Sequence, residues 1–299
     1  MASDKHAYLI IAHNEPWLLQ TLVRLIDDER NDIFIAVDTR TDINIFKDVK
    51  AMKSHLTFTK QCDNRWGSVK QIETEYVLFE AARSYGRYSY YHLLSGQDLP
   101  IKSQDYIHET CEILQGKEFV GFVKSTPQYI NELEHKTRFY YILQSHFRCR
   151  NSFEKIIVRP IQKGSIFLQK VVGIKRRYAV ELKKGCNWVS ITDDFCKYLI
   201  ECKAEVLKMF NHTFCPDEIF LQTILWNSPF RNNVYDFNDE YHSCLRYIDW
   251  NRGTPYIWAE KDFDELTDDK NECFFARKFS SENKRLVDWI IKFLHESQT

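Results

Sequence analysis

The stretch YYHLLSGQDLPIKS, residues 90–103, decides the fold class, because an apolar strand in it runs directly into a polar turn. Burying unpaired polar groups costs free energy, so a plain core segment would not carry them. We predict a strand that ends at this turn, with Gly96 allowing a close backbone approach and Asp98 fixing the turn. A turn that only ends the strand and has no functional role would explain the same residues. A structural and a functional interpretation of the turn therefore both stay open here.

Short apolar strands alternate with amphipathic helices on both sides of that stretch. Strands are predicted at 7–13, 33–38, 56–59, 88–94 and 118–123, and helices at 17–27, 68–85 and 104–114. This alternation predicts an α/β fold with a doubly wound, mostly parallel sheet and flanking helices. Ligands of such sheets bind beyond the carboxyl ends of the strands, and His13, Asp38 and residues 95–98 fall there.

The second half of the chain continues the pattern with shorter elements. Strand character is present at 185–192 and near 232–236, 244–249 and 255–259, and helices are predicted at 193–203, 216–227 and 281–296. No internal repeat, low-complexity tract or linker interrupts the sequence. We therefore predict a single domain over 1–299.

The composition narrows the class of protein. The 299 residues carry a net charge of −1 with 28% charged residues, which is typical of a soluble globular protein and does not suggest a nucleic-acid partner. The nine cysteines are irregularly spaced, so they indicate free thiols in a reducing compartment rather than a zinc site. The sequence has no apolar signal region and no run of about 18 apolar residues, which predicts a cytoplasmic enzyme.

One segment, residues 148–184, is strongly basic. It contains eleven Lys and Arg residues but only two acidic ones, Glu154 and Glu181. A solvated helix-loop insert would explain this composition. A surface for an anionic partner, such as a lipid-linked acceptor or a peripheral membrane contact, would explain it equally well.

The segment CPDEIFLQTILWNSPF, residues 215–230, predicts a helix that opens with two carboxylates. Pro216 suits the first helical turn, where its missing N–H is not needed. Asp217 and Glu218 then lie at the positive end of the helix dipole, which keeps nearby carboxylates ionised. A fixed, ionised carboxylate is what a general base requires, although acids are also common in first turns without any catalytic role.

The motif FFARKF, residues 274–279, places Arg277 and Lys278 between phenylalanines. The pair is suited to a diphosphate, which Lys binds as a point charge and Arg as a fork, or it is a pair of cations that extend from apolar surface to solvent. The sequence contains one Asp-x-Asp, residues 262–264, which we interpret as a helix cap and capping box with Glu265. No metal site is therefore expected.

Taken together, these motifs resemble the core-2/I-branching β-1,6-N-acetylglucosaminyltransferases and peptide O-xylosyltransferases, family 14 of the glycosyltransferases. The matching pieces occur in the expected order along nearly the whole chain. They are AYLIIAH, IFIAVDTRTD, RWGSV, YYHLLSGQDLPIKS, GCNWVSIT, CPDEIFLQTILWNSPF, RYIDW and FFARKF.

The resemblance implies a GT-A-like fold, a UDP-sugar donor, inversion at the anomeric carbon and no need for a divalent metal. The glutamate of the family's Pro-Asp-Glu segment, its general base, corresponds to Glu218. Its phosphate-binding lysine corresponds to Lys278. A further family arginine corresponds loosely to Arg252, and Arg277 is the alternative. The missing anchor and stem of the animal members imply a bacterial, cytoplasmic version.

The remaining assignments complete this hypothesis. The resemblance implies a nucleotide-binding half at about 1–125 and an acceptor and catalytic half at about 126–299. We expect His13, Asp38 and the Trp66–Gly67 turn to line the uridine pocket. The sugar and acceptor side is assigned to Ser95, Gln97, Asp98, Trp188 and Asp217. The predicted function is metal-independent, inverting transfer of GlcNAc or xylose from a UDP-sugar to a glycan or lipid-linked acceptor. The alternative is a non-catalytic carbohydrate or nucleotide-sugar binding protein on the same fold.

Overall fold

A computed structural model describes residues 5–148 and 152–296, and two β-sheets organise this part of the chain. The strands, in chain order, are β1 (His6–Ala12), β2 (Asn31–Val37), β3 (His55–Phe58), β4 (Tyr90–Ser95), β5 (Asp98–Pro100), β6 (Ser190–Thr192), β7 (Arg246–Ile248) and β8 (Phe275–Arg277). The helices are α1 (Pro16–Leu25), α2 (Val69–Tyr85), α3 (Gln104–Ile113), α4 (Pro127–Thr137), α5 (Ser152–Val172), α6 (Asp193–Glu201), α7 (Lys203–Phe210), α8 (Phe220–Trp226), α9 (Glu240–Cys244), α10 (Phe263–Thr267) and α11 (Lys284–Glu296).

The main sheet has the strand order β3-β2-β1-β4-β6. β1 pairs in parallel with β2 and β4, and β2 pairs in parallel with β3, whereas β6 is antiparallel to β4. The order reverses at β1, because β2 and β3 extend the sheet to one side and β4 to the other. A crevice for ligands forms at such a reversal, beyond the carboxyl ends of the strands. The predicted α/β fold with a mostly parallel, doubly wound sheet is confirmed.

Residues of β1 alternate between the two faces of the main sheet, as the period of two in a strand requires. Tyr8 and Ile10 pack into one apolar cluster, which also contains Ile290 of α11. Ala7 and Leu9 pack into the other, which also contains Leu221 of α8. Both cores therefore combine early and late parts of the chain, and the described residues fold as a single domain.

A second, three-stranded sheet has the order β5-β8-β7. β8 is antiparallel to β5 and parallel to β7, and the register sets Asp98 opposite Arg277. The FFARKF motif is thereby held against the turn that ends β4. Ser103 then caps α3, since its hydroxyl accepts a hydrogen bond from the N–H of Tyr106 at 3.2 Å.

Three of the predicted strands are wrong, namely 118–123, 232–236 and 255–259. Residues 118–123 are largely buried, but among the described residues they form only single bridges, from Glu118 to Val234 and from Phe119 to Ser190. Residues 229–233 form a 3-10 turn. Proline at position 255 has no N–H to give to a ladder. The apolar residues at these places indicate that the chain is buried there. Burial is common to strands and irregular segments, so it could not identify a strand.

Other boundaries also differ from the predictions. The strand at 185–192 is limited to residues 190–192, and α4 and α7 were not predicted. None of the helices within the described ranges combines the length and the apolar character needed to cross a membrane.

Candidate active site

Four of the predicted site residues lie at the carboxyl ends of strands. His13 follows β1, Asp38 follows β2, Ser95 ends β4 and Arg277 ends β8. Burial lowers the pKa of His13, and the positive charges of Lys278 and Arg277 lower it further. His13 therefore lies close enough to both cations to feel their charge, and its imidazole is neutral at physiological pH.

Arg277 is anchored by the turn that ends β4. Its guanidinium donates to Asp98 Oδ1 at 2.6 Å and to the Ser95 hydroxyl, and it lies 4.6 Å above the Trp188 ring. Asp98 is itself fixed, because its Oδ2 accepts from the Ser95 N–H at 2.8 Å. Gln97 is buried in the same turn. Three residues predicted for the sugar and acceptor side, Ser95, Asp98 and Trp188, thus contact Arg277, and Gln97 lies in the turn between two of them.

Lys278, the next residue, is held by its backbone and not by its side chain. Its N–H donates to the Tyr256 carbonyl at 3.2 Å, and its carbonyl accepts from the Trp258 N–H at 2.9 Å. Burial lowers the pKa of Lys278, and the Arg277 charge lowers it further. Whereas Arg277 pairs with Asp98, the Lys278 ammonium makes no ion pair with any described residue.

The Trp66–Gly67 turn connects these cations to the Pro-Asp-Glu segment. Gly67 has φ +76°, and a Cβ atom there would lie 3.1 Å from the Phe147 ring, so a larger residue would be strained and crowded. Its carbonyl accepts from the Cys215 N–H at 2.9 Å. Arg148 lies 4.4 Å above the Trp66 ring, and its charge also contributes to the lowered pKa of Lys278.

Glu218 lies in a 3-10 turn, Pro216–Glu218, and is contacted by two lysines. Its Oε2 accepts a hydrogen bond from Lys136 Nζ and lies 3.6 Å from Lys184 Nζ. Burial alone would lower the pKa of Lys136, but the Glu218 carboxylate outweighs burial and raises it. No described residue donates to Glu218 Oε1, and 36% of the side chain is exposed. One carboxylate oxygen is therefore available to take a proton.

The predicted reason for this carboxylate environment was wrong. The helix expected at 216–227 is divided into the 3-10 turn and α8, which begins only at Phe220. Glu218 is consequently positioned by lysine side chains from α4 and from the end of the basic segment, and not by the first turn of a long helix.

Asp217 has a different environment from Glu218, although the two are adjacent. It is buried, its Oδ2 accepts from Gln71 Nε2 at 3.0 Å, and its Oδ1 has no hydrogen-bond partner in the described residues. Burial raises the pKa of Asp217 to about 7, and the Glu218 charge contributes to the increase. Burial and the neighbouring Glu218 charge thus oppose the ionisation that the sequence predicts for Asp217.

A second buried acid lies behind Asp217. Glu75 of α2 is fully buried, and neither of its oxygens accepts a hydrogen bond of good geometry from a described residue, although the Asn187 side chain lies close enough to lower its pKa in part. Burial raises its pKa well above the ordinary value, and the charge of Asp217 raises it further. The Oδ1 atoms of Asn187 and Asp217 also lack partners. We call Glu75 and Asp217 the buried acid pair.

Asp38 is committed to a partner within the turn after β2. Its Oδ1 accepts from the N–H of Arg40 at 2.8 Å and also from the Arg40 side chain. Burial acts to raise the pKa of Asp38, but these hydrogen bonds outweigh it and the pKa falls below its ordinary value. Asp38 thus shapes the turn beside His13 as an ionised carboxylate.

Arg252, the other predicted diphosphate ligand, is not brought to the cations at the strand ends. Its guanidinium pairs with Asp249, with Asp262 at 2.8 Å and with Glu265 at 2.9 Å. It would have to leave these carboxylates to hold a phosphate. Asp262 also accepts from the Ala259 N–H at 2.9 Å, so the capping box predicted with Glu265 is wrong.

Within the described ranges, one group has atoms near enough to bind a metal ion. It consists of His6, His92 and Cys111, whose ligand atoms all lie within 4.8 Å of one another in the protein interior. His6 Nδ1 and His92 Nε2 are hydrogen-bonded at 3.0 Å, and His92 Nδ1 is bonded to the Ser190 hydroxyl at 2.7 Å. These nitrogen atoms already have partners, and the group lies apart from the candidate site.

Sequence analysis missed four residues of the site. Arg148 was counted among eleven basic residues and nothing distinguished it from the other ten. Lys136, Lys184 and Glu75 become important only through burial, which a single charged letter in a sequence does not reveal. The signal that could have found Glu75 is its position in α2 between Ile72 and Phe79, on the inner side of an amphipathic helix.

The comparison with known families decides what kind of protein this is. Residues 6–270 match the family described as Branch, Core-2/I-Branching enzyme. The chain belongs to the Core-2/I-branching enzyme family. Because the match spans most of the chain, it confirms the resemblance that the motifs indicate and identifies a member of a glycosyltransferase family.

Curated relatives of this family member are distant and much longer. Xylosyltransferase 2 of Rattus norvegicus is 22% identical over 317 residues, which cover 96% of this chain and 33% of the rat protein. Xylosyltransferase oxt of Drosophila pseudoobscura pseudoobscura is 24% identical over 204 residues, which cover 62% of this chain and 21% of the fly protein. The chain spans about a third or less of the length of these relatives.

Among solved structures, the apo form of mouse xyloside xylosyltransferase 1 aligns with 93% of this chain and 99% of its own length. The TM-score is 0.38 and the sequence identity is 9%, a level of similarity that supports no conclusion about this chain.

The family match ends at residue 270 and thus before the FFARKF motif. Roles for Arg277 and Lys278 therefore depend on the geometry described above and on the resemblance of the motif itself.

Proposed function

We propose that this Core-2/I-branching family member transfers a sugar, xylose or N-acetylglucosamine, from a UDP-sugar to a hydroxyl group of a glycan or lipid-linked acceptor. The observation that carries the proposal is the Lys278 ammonium, which forms no ion pair with the residues that the structure describes, beside the anchored Arg277 at the carboxyl ends of the strands. Adjacent cations in such a crevice suit a diphosphate, which Lys attracts as a point charge and Arg can bind as a fork.

In the proposed reaction, Glu218 is the general base. Its Oε1 atom accepts the proton of the acceptor hydroxyl while that oxygen forms a bond to the anomeric carbon of the donor. The positions of Lys136 and Lys184 support this role, because they hold the other oxygen of the carboxylate in place. A general base must be fixed within reach of its proton to be effective.

UDP is the proposed leaving group. The bond between the anomeric carbon and the diphosphate oxygen breaks as the new bond forms on the opposite face, so the configuration inverts. The electron pair stays on UDP, where Lys278 and Arg277 stabilise the charge that develops. Two fixed cations can supply this stabilisation themselves, which supports a mechanism without a divalent metal on a GT-A-like fold.

The other site residues receive proposed positions around these groups. His13, Asp38 and the Trp66–Gly67 turn would line the uridine pocket beside Lys278. Trp188 would lie on the sugar side, below the Arg277 guanidinium. Ser95, Gln97 and Asp98 would position Arg277, and Asp217 would support the turn that carries Glu218.

The proposal is tested by calorimetric titration of UDP and uridine in excess EDTA. Wild-type protein should bind UDP under these conditions. Lys278→Met removes one charge-assisted contact worth roughly 1.5–3 kcal/mol, so UDP affinity should fall roughly 10- to 150-fold while uridine affinity changes little. Arg252→Met is the matched control and should leave UDP affinity unchanged, provided that its melting temperature shows a folded protein.

Two results would contradict parts of this proposal. Loss of UDP binding in EDTA that manganese restores would show a metal-dependent site. Equal weakening of UDP and uridine by Lys278→Met would show that Lys278 maintains the fold.

The alternative function, a non-catalytic protein that binds nucleotide sugars, predicts UDP binding without turnover. Acceptor-dependent release of UDP separates it from an enzyme. Glu218 Oε1, to which no residue within 5–148 and 152–296 donates, favours the enzyme, because a binding protein has no need of an exposed proton acceptor. A cytoplasmic location stays a prediction from the sequence.

A further inference from the structure

Helix α5 packs against the protein through uncharged polar side chains, whereas its lysines and Arg159 are exposed. Gln169 accepts from the Tyr140 N–H at 2.8 Å and donates to the Tyr140 carbonyl at 2.9 Å, and Gln162 donates to the Leu143 carbonyl at 3.1 Å. The inner stripe consists of residues three or four positions apart, in the order Glu154, Val158, Gln162, Ser165 and Gln169. Hydrogen bonds to backbone groups therefore hold much of this helix in place.

The outward side of α5 is apolar. We define its docking face by large apolar side chains that are exposed, namely Ile156, Ile157, Ile161, Phe167, Leu168, Val171 and Val172. Five of them are between 61% and 70% exposed: Ile156, Phe167, Leu168, Val171 and Val172. A contiguous exposed apolar surface of this kind marks an interaction site, since soluble proteins seldom leave one uncovered.

A row of cations lies beside the docking face. Lys155, Arg159, Lys163 and Lys170 are exposed and follow one another at intervals of four, four and seven residues, which align along one side of a helix. Lys175 and Arg177 continue the positive charge beyond the helix, and no acidic residue occurs between positions 155 and 180. A partner that binds this surface must therefore provide both an apolar region for the docking face and negative charge for the row of cations.

We propose that α5 docks on the surface of an anionic lipid bilayer. The docking face would lie at the boundary of the acyl chains, and the basic row would contact the negatively charged headgroups. A helix with one apolar face and a flanking Lys/Arg face binds the membrane interface in this manner. A second copy of the chain fits less well, because two identical basic rows would repel each other.

The placement of α5 connects the bilayer to the candidate active site. Arg148, at one end of the basic segment, lies over Trp66, and Lys184, at the other end, lies 3.6 Å from Glu218. Docking would hold the acceptor side of the site near the membrane, where a lipid-linked acceptor resides. This consequence rests on the proposed function, whereas docking itself does not.

Vesicle flotation tests the docking directly. Full-length protein is mixed with vesicles of phosphatidylcholine alone or with added phosphatidylglycerol, in the absence of any sugar nucleotide. We expect binding only to the anionic vesicles, with a loss at high salt. Phe167→Asp/Leu168→Asp and Lys163→Glu/Lys170→Glu should each weaken it at least about 10-fold.

Matched controls separate docking from folding and from the proposed function. Met52→Asp/Ile113→Asp also charges two exposed apolar positions, but away from α5, and should bind vesicles like the wild type. All variants should keep the wild-type melting temperature and UDP affinity. Failure of the wild type to bind anionic vesicles, or unchanged binding of both α5 variants, would overturn the proposal. A dimer that dissociates in Phe167→Asp/Leu168→Asp would overturn it in favour of a second copy.

Discussion

Glu218 and Asp217 share one 3-10 turn, but their side chains meet different groups. Glu218 contacts two lysines, and its other oxygen accepts from no described residue, whereas Asp217 is buried against Gln71 and beside Glu75. Two carboxylates in unlike environments commonly divide the roles of a mechanism between them. We therefore assign the proton transfer to Glu218 and a positioning role to Asp217.

The substitution Glu218→Gln tests this division at the level of one residue. The amide keeps an oxygen that can accept from Lys136 but loses the negative charge, so transfer should fall by roughly 100-fold or more. UDP affinity should be retained. The measurement is acceptor-dependent UDP release, recorded beside the melting temperature.

Asp217→Asn is the matched control for the neighbouring carboxylate and should reduce transfer less than Glu218→Gln does. A fully active Glu218→Gln protein would exclude Glu218 as the base.

The buried Asp217 also leads to a prediction about stability and pH. Its pKa is raised from 3.8 to about 7 by burial and then by the Glu218 charge. The folded protein holds this proton more tightly than the unfolded chain, so the group destabilises the fold progressively as pH rises from about 4 through about 7. Asp217→Asn stays neutral, and its melting temperature relative to the wild type should rise by a few degrees between pH 5 and pH 8. A difference that does not change with pH would contradict the assignment.

At the scale of elements, α4 shows why some parts of the site could not be predicted. Thr126 caps the helix and Pro127 opens it, both of which are readable signals. However, the helix buries only Tyr129, Lys136 and Thr137, so no apolar stripe with a helical period marks it. A buried lysine is recognised only when its carboxylate partner, 82 positions later, is placed beside it.

Lys136→Met tests the contribution of α4 to the chemistry. Methionine has an apolar side chain of similar size to that of lysine, but it lacks the ammonium group that donates to Glu218 Oε2. Transfer at neutral pH should fall because the carboxylate is less well positioned.

The control for this substitution is Lys203→Met, which removes another lysine paired with a glutamate, Glu80 at 2.7 Å, but on α7. Its rate of acceptor-dependent UDP release should match the wild type. Unchanged UDP release by Lys136→Met would show that the lysine does not position the base.

The strands of the main sheet were predictable because both faces of the sheet are covered, and four of them were correctly placed. Burial also led to the wrong prediction of a strand at 118–123, where the buried apolar residues form single bridges but no ladder with other described residues. The site residues at strand ends were also predictable, since parallel strands bring their carboxyl ends to one edge. The groups that orient these residues were not predictable. Arg277 is paired with Asp98 by a sheet whose strands β5 and β8 are 3 residues long, which is too short for a strand pattern to be recognised in the sequence.

At the scale of the whole molecule, the sequence division into a nucleotide half and an acceptor half does not describe how the site is built. His13 lies near the start of the chain, and the charge of Lys278, near its end, lowers the pKa of His13. Glu218 is held by Lys136 of α4 and by Lys184, the last residue of the basic segment, so its two lysines lie on either side of α5 in the sequence. The candidate site is thus assembled from widely separated parts of one domain.

The pairing of β5 with β8 has a consequence for the order in which activity can appear during synthesis. A ribosome makes the sheet edge with His13 and Ser95 long before it makes Arg277 and Lys278. If those two cations hold the diphosphate, the growing chain cannot retain UDP-sugar until β8 has emerged and paired with Asp98. The protein would therefore be inactive during most of its own translation, and it would become able to bind the donor only in one late step.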